Sequence, residues 1–165
     1  MTRGASGVTH SAGAAANAAA SGGHASTTTP VAPDFTLTTL NGAAYHLVGQ
    51  RGHVVVLYFM STTCTECVRG TYFVATAMQE IASPKAEAIA IDMNPGDTAK
   101  DISSFEQSAS IASNAPLTWV FDGNQRVASR YGVLALGTVF VVDPQGHIVY
   151  ESDGSVVIGQ LVQVV

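Results

Sequence analysis

Cysteine is almost missing from this sequence. There are two in 165 residues, and both fall in the window Cys64-Thr65-Glu66-Cys67. Sulfurs that close together cannot staple distant parts of a chain, so a structural disulfide framework is excluded. Charge is scarce too, at 12% of residues with a net of −5. The seven Lys and Arg are scattered rather than clustered, which excludes nucleic acid as a main partner. Long apolar runs are also lacking. The longest, Val54–Met60, is far shorter than the ~18 residues that cross a bilayer. Behind Arg3 there is no apolar block, so no secretory leader is legible. We expect a signal or membrane anchor to have been removed ahead of Met1.

Residues 1–30 are Ala, Gly, Ser, Thr and Asn with His10 and His24, and carry no hydrophobic period. Such a segment cannot offset the entropy of its own ordering, so a disordered tail or linker is expected over 1–30. His10 and His24 read as solvated tail residues. The composition changes at Pro30-Val31-Ala32-Pro33, and a single domain over 31–165 is expected from there.

Asp34–Leu40 alternates with period two, Asn41-Gly42 signals a hairpin, and Ala44–Leu47 returns as its partner strand. Gly49 to Gly52 reads as a turn. Val54–Met60 is a continuous β-branched and aromatic run, the pattern of a strand buried on both faces. A helix over Thr65–Ala82 follows, stopped by Pro84. Ala88–Asp92 reads as a second buried strand and Thr98–Ala109 as a helix. Leu117–Phe121 is a strand, Gln125–Tyr131 a short helix, and Thr138–Asp143 with His147–Glu151 a closing hairpin. Val156–Val165 reads as a last helix. Alternating strands and helices imply an α/β fold of three layers, a central mixed sheet flanked by helices, with an extra β-hairpin at the N-terminus.

The chemistry centres on the two cysteines. Cys64 falls where a helix begins, and there the free N–H groups and the helix dipole stabilise a thiolate. The thiolate is the attacking species in disulfide exchange. Cys67 lies one turn on, within reach of the first sulfur. The preceding strand sets the pair at the sheet's C-terminal edge, where open α/β folds place their sites. Redox exchange, metal binding and no role at all are the readings of such a pair. Zinc needs four ligands. No second C-x-x-C exists, and His46, His53 and His147 stand at no ligand spacing from the first. Redox exchange is the expectation.

Val31-Ala32-Pro33-Asp34-Phe35-Thr36-Leu37 resembles the entry motif of the redoxin group, which spans the peroxiredoxins and the TlpA/ResA-like thiol-disulfide oxidoreductases. Val54–Cys67 is similar to their central strand and C-x-x-C, and Tyr131-Gly132-Val133, Thr138–Asp143 and Gly146 to their closing segment. The resemblance covers residues 31–152. It implies a thioredoxin-like fold and extracytoplasmic reduction of protein disulfides, as in cytochrome c maturation or metal-centre assembly. It implies a dithiol or disulfide protein as partner, an upstream membrane reductant, a monomer and no cofactor. Thr63, Thr65, Glu66, Gly137 and Thr138 would shape the site around Cys64 and Cys67. Asp92 and Asp97 stand where relatives keep a carboxylate that accepts the resolving thiol's proton. Tyr58 stands where thioredoxin has a buried Asp, and reads as core.

Three departures from the pattern matter. Thr63 replaces the usual Trp before the first cysteine, Gly137 replaces a cis-proline, and Thr-Glu replaces a Pro-containing dipeptide. Glu66 should oppose a thiolate by charge repulsion, so a weakly acidic Cys64 and a reducing protein are expected. Arg69 could offset Glu66, and Trp119 reads as core or edge. A peroxidase is disfavoured because no Pro precedes the cysteine near Met60-Ser61. A Sco-like copper chaperone wants one more residue between the cysteines. The competing class is a metallochaperone or a binding module without turnover.

Overall fold

The apolar run Val54–Met60 forms strand β3 at the heart of a seven-stranded sheet, whose order is β2 (Ala44–His46), β1 (Thr36–Thr39), β5 (Leu117–Phe121), β4 (Ala86–Asp92), β3, β6 (Thr138–Val142) and β7 (Ile148–Ser152). The computed structural model describes residues 29–112, 114–154 and 158–165. The tail expected over 1–30 therefore lies outside the described residues up to position 28. Residues Val56 to Met60 are fully buried. Each such side chain contributes about 1.5–3 kcal/mol of burial.

Strands β1 (Thr36–Thr39) and β2 (Ala44–His46) form the N-terminal hairpin. A 3₁₀ turn over Leu47–Gln50 follows, beginning two residues before the turn expected over Gly49 to Gly52; it tucks Leu47 into the core. Strand β4 (Ala86–Asp92) begins two residues before the expected Ala88, because Val54 and Val55 of β3 pair with Ala86 and Glu87. Half-buried Glu87 is tolerated there since the Tyr45 hydroxyl donates to it at 2.9 Å. Strands β3–β4 and β4–β5 (Leu117–Phe121) run parallel. Strand β6 (Thr138–Val142) is antiparallel to β3 and to β7 (Ile148–Ser152), so the sheet is mixed.

Helices α1 (Thr65–Ile81), α2 (Ala99–Ser108) and α4 (Ile158–Val164) bury Val74, Ile102, Phe105 and Leu161 on one face. Helix α3 (Arg126–Arg130) buries Val127 and Ala128 on the other, beside Phe35 and Tyr45 of the hairpin region. Helix α1 ends at Ala82, whose left-handed backbone sends its N–H to Met78, and Pro84 prevents continuation. Among the described residues no helix is long and apolar enough to cross a membrane.

The register gathers three loops at one edge. Met60 pairs with Asp92, and Phe59 with Thr138. The loops after β3, after β4 and before β6 therefore meet where the cysteines stand.

Candidate active site

Cys64 is the N-cap of α1, and its sulfur accepts the Cys67 N–H at 3.1 Å. That bond is the local form of the helix N-terminus stabilising charge on sulfur. The loop beneath is fixed by short-range bonds. Cys64 N–H donates to the Ser61 carbonyl at 3.1 Å, and the Ser61 and Thr63 hydroxyls are 2.9 Å apart. Cys64 and Cys67 are joined in a disulfide, with Cα atoms 5.2 Å apart. The two sulfurs have unequal surroundings. Cys64 is half-buried and lines an open cleft, whereas Cys67 is 1% exposed in the core. The outer sulfur can be reached by another molecule; the inner one can be reached by Cys64.

Cys67 is anchored through its backbone. Its carbonyl accepts the Thr71 hydroxyl at 2.7 Å and the Tyr58 hydroxyl at 3.4 Å. Tyr58 is core, as expected, and burial pushes its pKa up to about 12. Its hydroxyl occupies the space beside Gly70, where a Cβ would stand 2.1 Å from the oxygen. Only glycine allows α1 so close. Sequence reasoning passed over Gly70, although a glycine inside a helical pattern was the available signal.

Asp92 ends β4 fully buried, on the face that carries Ala88, Ala90 and Cys67. One carboxylate oxygen accepts the Asn94 N–H at 3.1 Å; the other has no hydrogen-bond partner. Burial pushes its pKa up to about 7, and nearby Asp97 adds to the rise against the Asn94 bond. Asp97 accepts from the Asn94 amide at 2.6 Å and from the Thr62 hydroxyl, which ties the β4–α2 loop to the cysteine loop. In the sequence Thr62 read as the end of a strand and Asn94 as the start of a turn, and neither signalled a role at the site.

The remaining candidates are placed as follows. Thr63 and Thr65 are exposed and line the cleft with Cys64. Glu66 is exposed in the first turn of α1. Arg69, the candidate offset to Glu66, lays its guanidinium over the Phe73 ring, 5.6 Å from its centre. Gly137 and Thr138 are buried at the start of β6. Gly137 takes φ +89°, a conformation other residues rarely adopt, and its N–H donates to the Phe59 carbonyl at 2.7 Å. Trp119 is buried, with its indole N–H on Glu106 at 2.7 Å. His46 and His147 pair with Asp34 and Asp143. Among the described residues no group of three or more His, Cys, Asp or Glu is placed to hold a metal ion.

Comparison with known proteins bears on this arrangement. The model of the AhpC/TSA family matches residues 29–151. The thiol-disulfide oxidoreductase ResA of Bacillus subtilis is 30% identical over 118 residues, which is 72% of this chain and 63% of that protein. The mercury resistance operon ORF3 product of Streptomyces lividans is 35% identical over 98 residues, 58% of this chain and 50% of that one. The chain thus spans less than two thirds of either relative. Among solved structures, StoA of Bacillus subtilis superposes with a TM-score of 0.65 at 16% identity, covering 81% of this chain and 96% of that one, which shows the thioredoxin-like fold.

Proposed function

The chain belongs to the AhpC/TSA family, and from that premise we propose that it exchanges thiols and disulfides with partner proteins through Cys64 and Cys67. The observation that carries this reading is the pairing of a reachable sulfur at a helix N-cap with a buried sulfur bonded to it. The Cys64 thiolate attacks one sulfur of a partner disulfide, forming a mixed disulfide and releasing the partner's other sulfur as a thiolate. Cys67 then gives up its proton and attacks Cys64. The mixed disulfide breaks, the partner leaves with both thiols reduced, and the protein holds its own disulfide. Asp92, aided by Asp97, is the proton acceptor for Cys67: it is buried on the same face, and its raised pKa makes its carboxylate a base matched to near-neutral pH. A membrane-bound dithiol then reduces the pair again.

Glu66 at the first turn sets a negative charge near the sulfurs, which supports a reducing couple. The segment 1–30, in which Arg3 is the sole Lys, Arg, Asp or Glu, and the ResA-like motifs support placement outside the cytoplasm. Reduction of insulin by dithiothreitol tests the activity. Acceleration of the turbidity onset is expected; a metallochaperone or binding module would give none. The couple's potential tests the direction: a value near −270 mV fits a reductant, and one near −120 mV, the range of a strong oxidant, contradicts it.

A further inference from the structure

Two clefts open beside the cysteine loop, on opposite sides of it. One, of about 350 Å³, is walled by Thr63, Met93, Pro95 and the segment Val133–Leu136, of which Leu134 is 98% exposed. The other, of about 360 Å³, lies between α1 and α2 and is lined by Cys64 itself. The sulfur lines only the second. That second cleft continues at Thr65 and Val68 into another of about 460 Å³ that ends at Tyr72. The walls follow helical spacing: Thr65 and Val68 on α1 face Asp101, Ser104, Phe105 and Ser108 on α2, and farther on Tyr72 shares the adjoining cleft with Ala109 and Ser110 at the end of α2. Together they make one seam leading away from the reactive sulfur.

We propose that the partner polypeptide docks in this α1–α2 seam as an extended, cystine-bearing segment with an apolar side chain over Val68 and Tyr72. This rests on the oxidoreductase reading, because the partner's sulfur must bond to Cys64 and so must enter the cleft that Cys64 lines. The seam's chemistry fits an extended chain. Val68 and Phe105 supply an apolar floor. The Ser104 and Ser108 hydroxyls donate to carbonyls of their own helix at 3.0 Å, which leaves their oxygens free to accept partner N–H groups. Tyr72 is 45% exposed and backed by the Phe73 ring at 6.0 Å, a platform for an apolar side chain. Tyr72 lies two turns beyond Cys64, about 12 Å along the helix. An extended chain covers that distance in about four residues. The partner's apolar residue therefore stands about four positions from its reacting cysteine. Asp101 and Glu66 flank the mouth, so the residue beside that cysteine is not acidic.

The test compares rate constants of the reduced full chain with insulin and with bis(2-hydroxyethyl) disulfide, which is too small to need the seam. Ser108→Arg fills the seam from an exposed helix position, and the insulin-to-small-disulfide ratio is expected to fall about tenfold. Tyr72→Ala, also at an exposed helix position, should lower the same ratio about threefold. Leu134→Asp on the opposite cleft should leave the ratio unchanged. A ratio that both seam variants leave intact, or a fall confined to Leu134→Asp, overturns the proposal. Wild-type protein that reacts with neither disulfide overturns the oxidoreductase reading instead.

Discussion

The two faces of the sheet are built from the same strands and serve different ends. On one face the side chains of β3 are Val56, Tyr58 and Met60, next to Cys67, Ala77, Ala88 and Ala90. On the other they are Val55, Leu57 and Phe59, next to Phe35, Tyr131 and Phe140. The second face interlocks aromatic rings: Tyr131 lies 5.2 Å from Phe140 and 5.6 Å from Phe59, and Phe59 lies 5.9 Å from Phe140. Tyr131 also donates to the Pro33 carbonyl at 2.8 Å, tying the N-terminal segment to that cluster. The first face keeps small residues under α1 and buries the polar groups that bear on the sulfurs. The period-two alternation of one strand thus assigns reactivity to one face and stability to the other.

That division can be broken at graded cost. Cys64→Ser should abolish insulin reduction while leaving thermal unfolding close to that of the reduced wild type; residual turnover above the dithiothreitol background would contradict the assignment. Phe140→Ala, on the aromatic face, should cost about 3–5 kcal/mol of stability. In urea unfolding this shows as a lower midpoint, with the reaction rate toward a small disulfide unchanged at temperatures where the variant is folded. An equal loss of reactivity would show that the two faces are not separable.

Asp92 sharpens the comparison through pH. Its carboxyl is held protonated in the folded state up to about pH 7, well above its unfolded value. The folded state therefore binds the extra proton. The stability it contributes is complete below about pH 4 and is lost at roughly 1.4 kcal/mol per pH unit up to about 7. Asp92→Asn should remove that decline. It should also flatten the rise with pH of the step in which Cys67 resolves the mixed disulfide. A wild-type stability that climbs across this range would refute the assignment. Gly70→Ala should show the smallest effect, about 1–3 kcal/mol, because the new methyl meets the Tyr58 hydroxyl. Adding Tyr58→Phe should recover part of it; additive losses in a double-mutant cycle would show that the two residues do not touch.

The strand framework was legible because its signals are local. Val54–Met60 and Leu117–Phe121 are bounded by turn residues and occur as strands with those limits. The cysteine pair was legible for the same reason: strand, loop and helix start are contiguous in sequence. What escaped were contacts between residues far apart in the chain. The Thr62–Asp97 bond and the fit of Gly70 against Tyr58 join positions on different elements. The bond has no composition or spacing of its own, and Gly70 shows only as a glycine inside a helical pattern, with nothing local to name Tyr58 as its neighbour. The seam beside Cys64 was hidden in the same way, since it exists only once α2 packs against α1. Asp92 fell between these cases: its position at the sheet edge could be read, but its complete burial required the fold.

The most direct test of the account is to capture the partner on one sulfur. Reduced Cys67→Ser protein mixed with insulin and analysed by mass spectrometry should carry a covalent adduct on Cys64 that dithiothreitol releases, while Cys64→Ser protein carries none. An adduct formed equally on Cys67, or on neither cysteine, would contradict it.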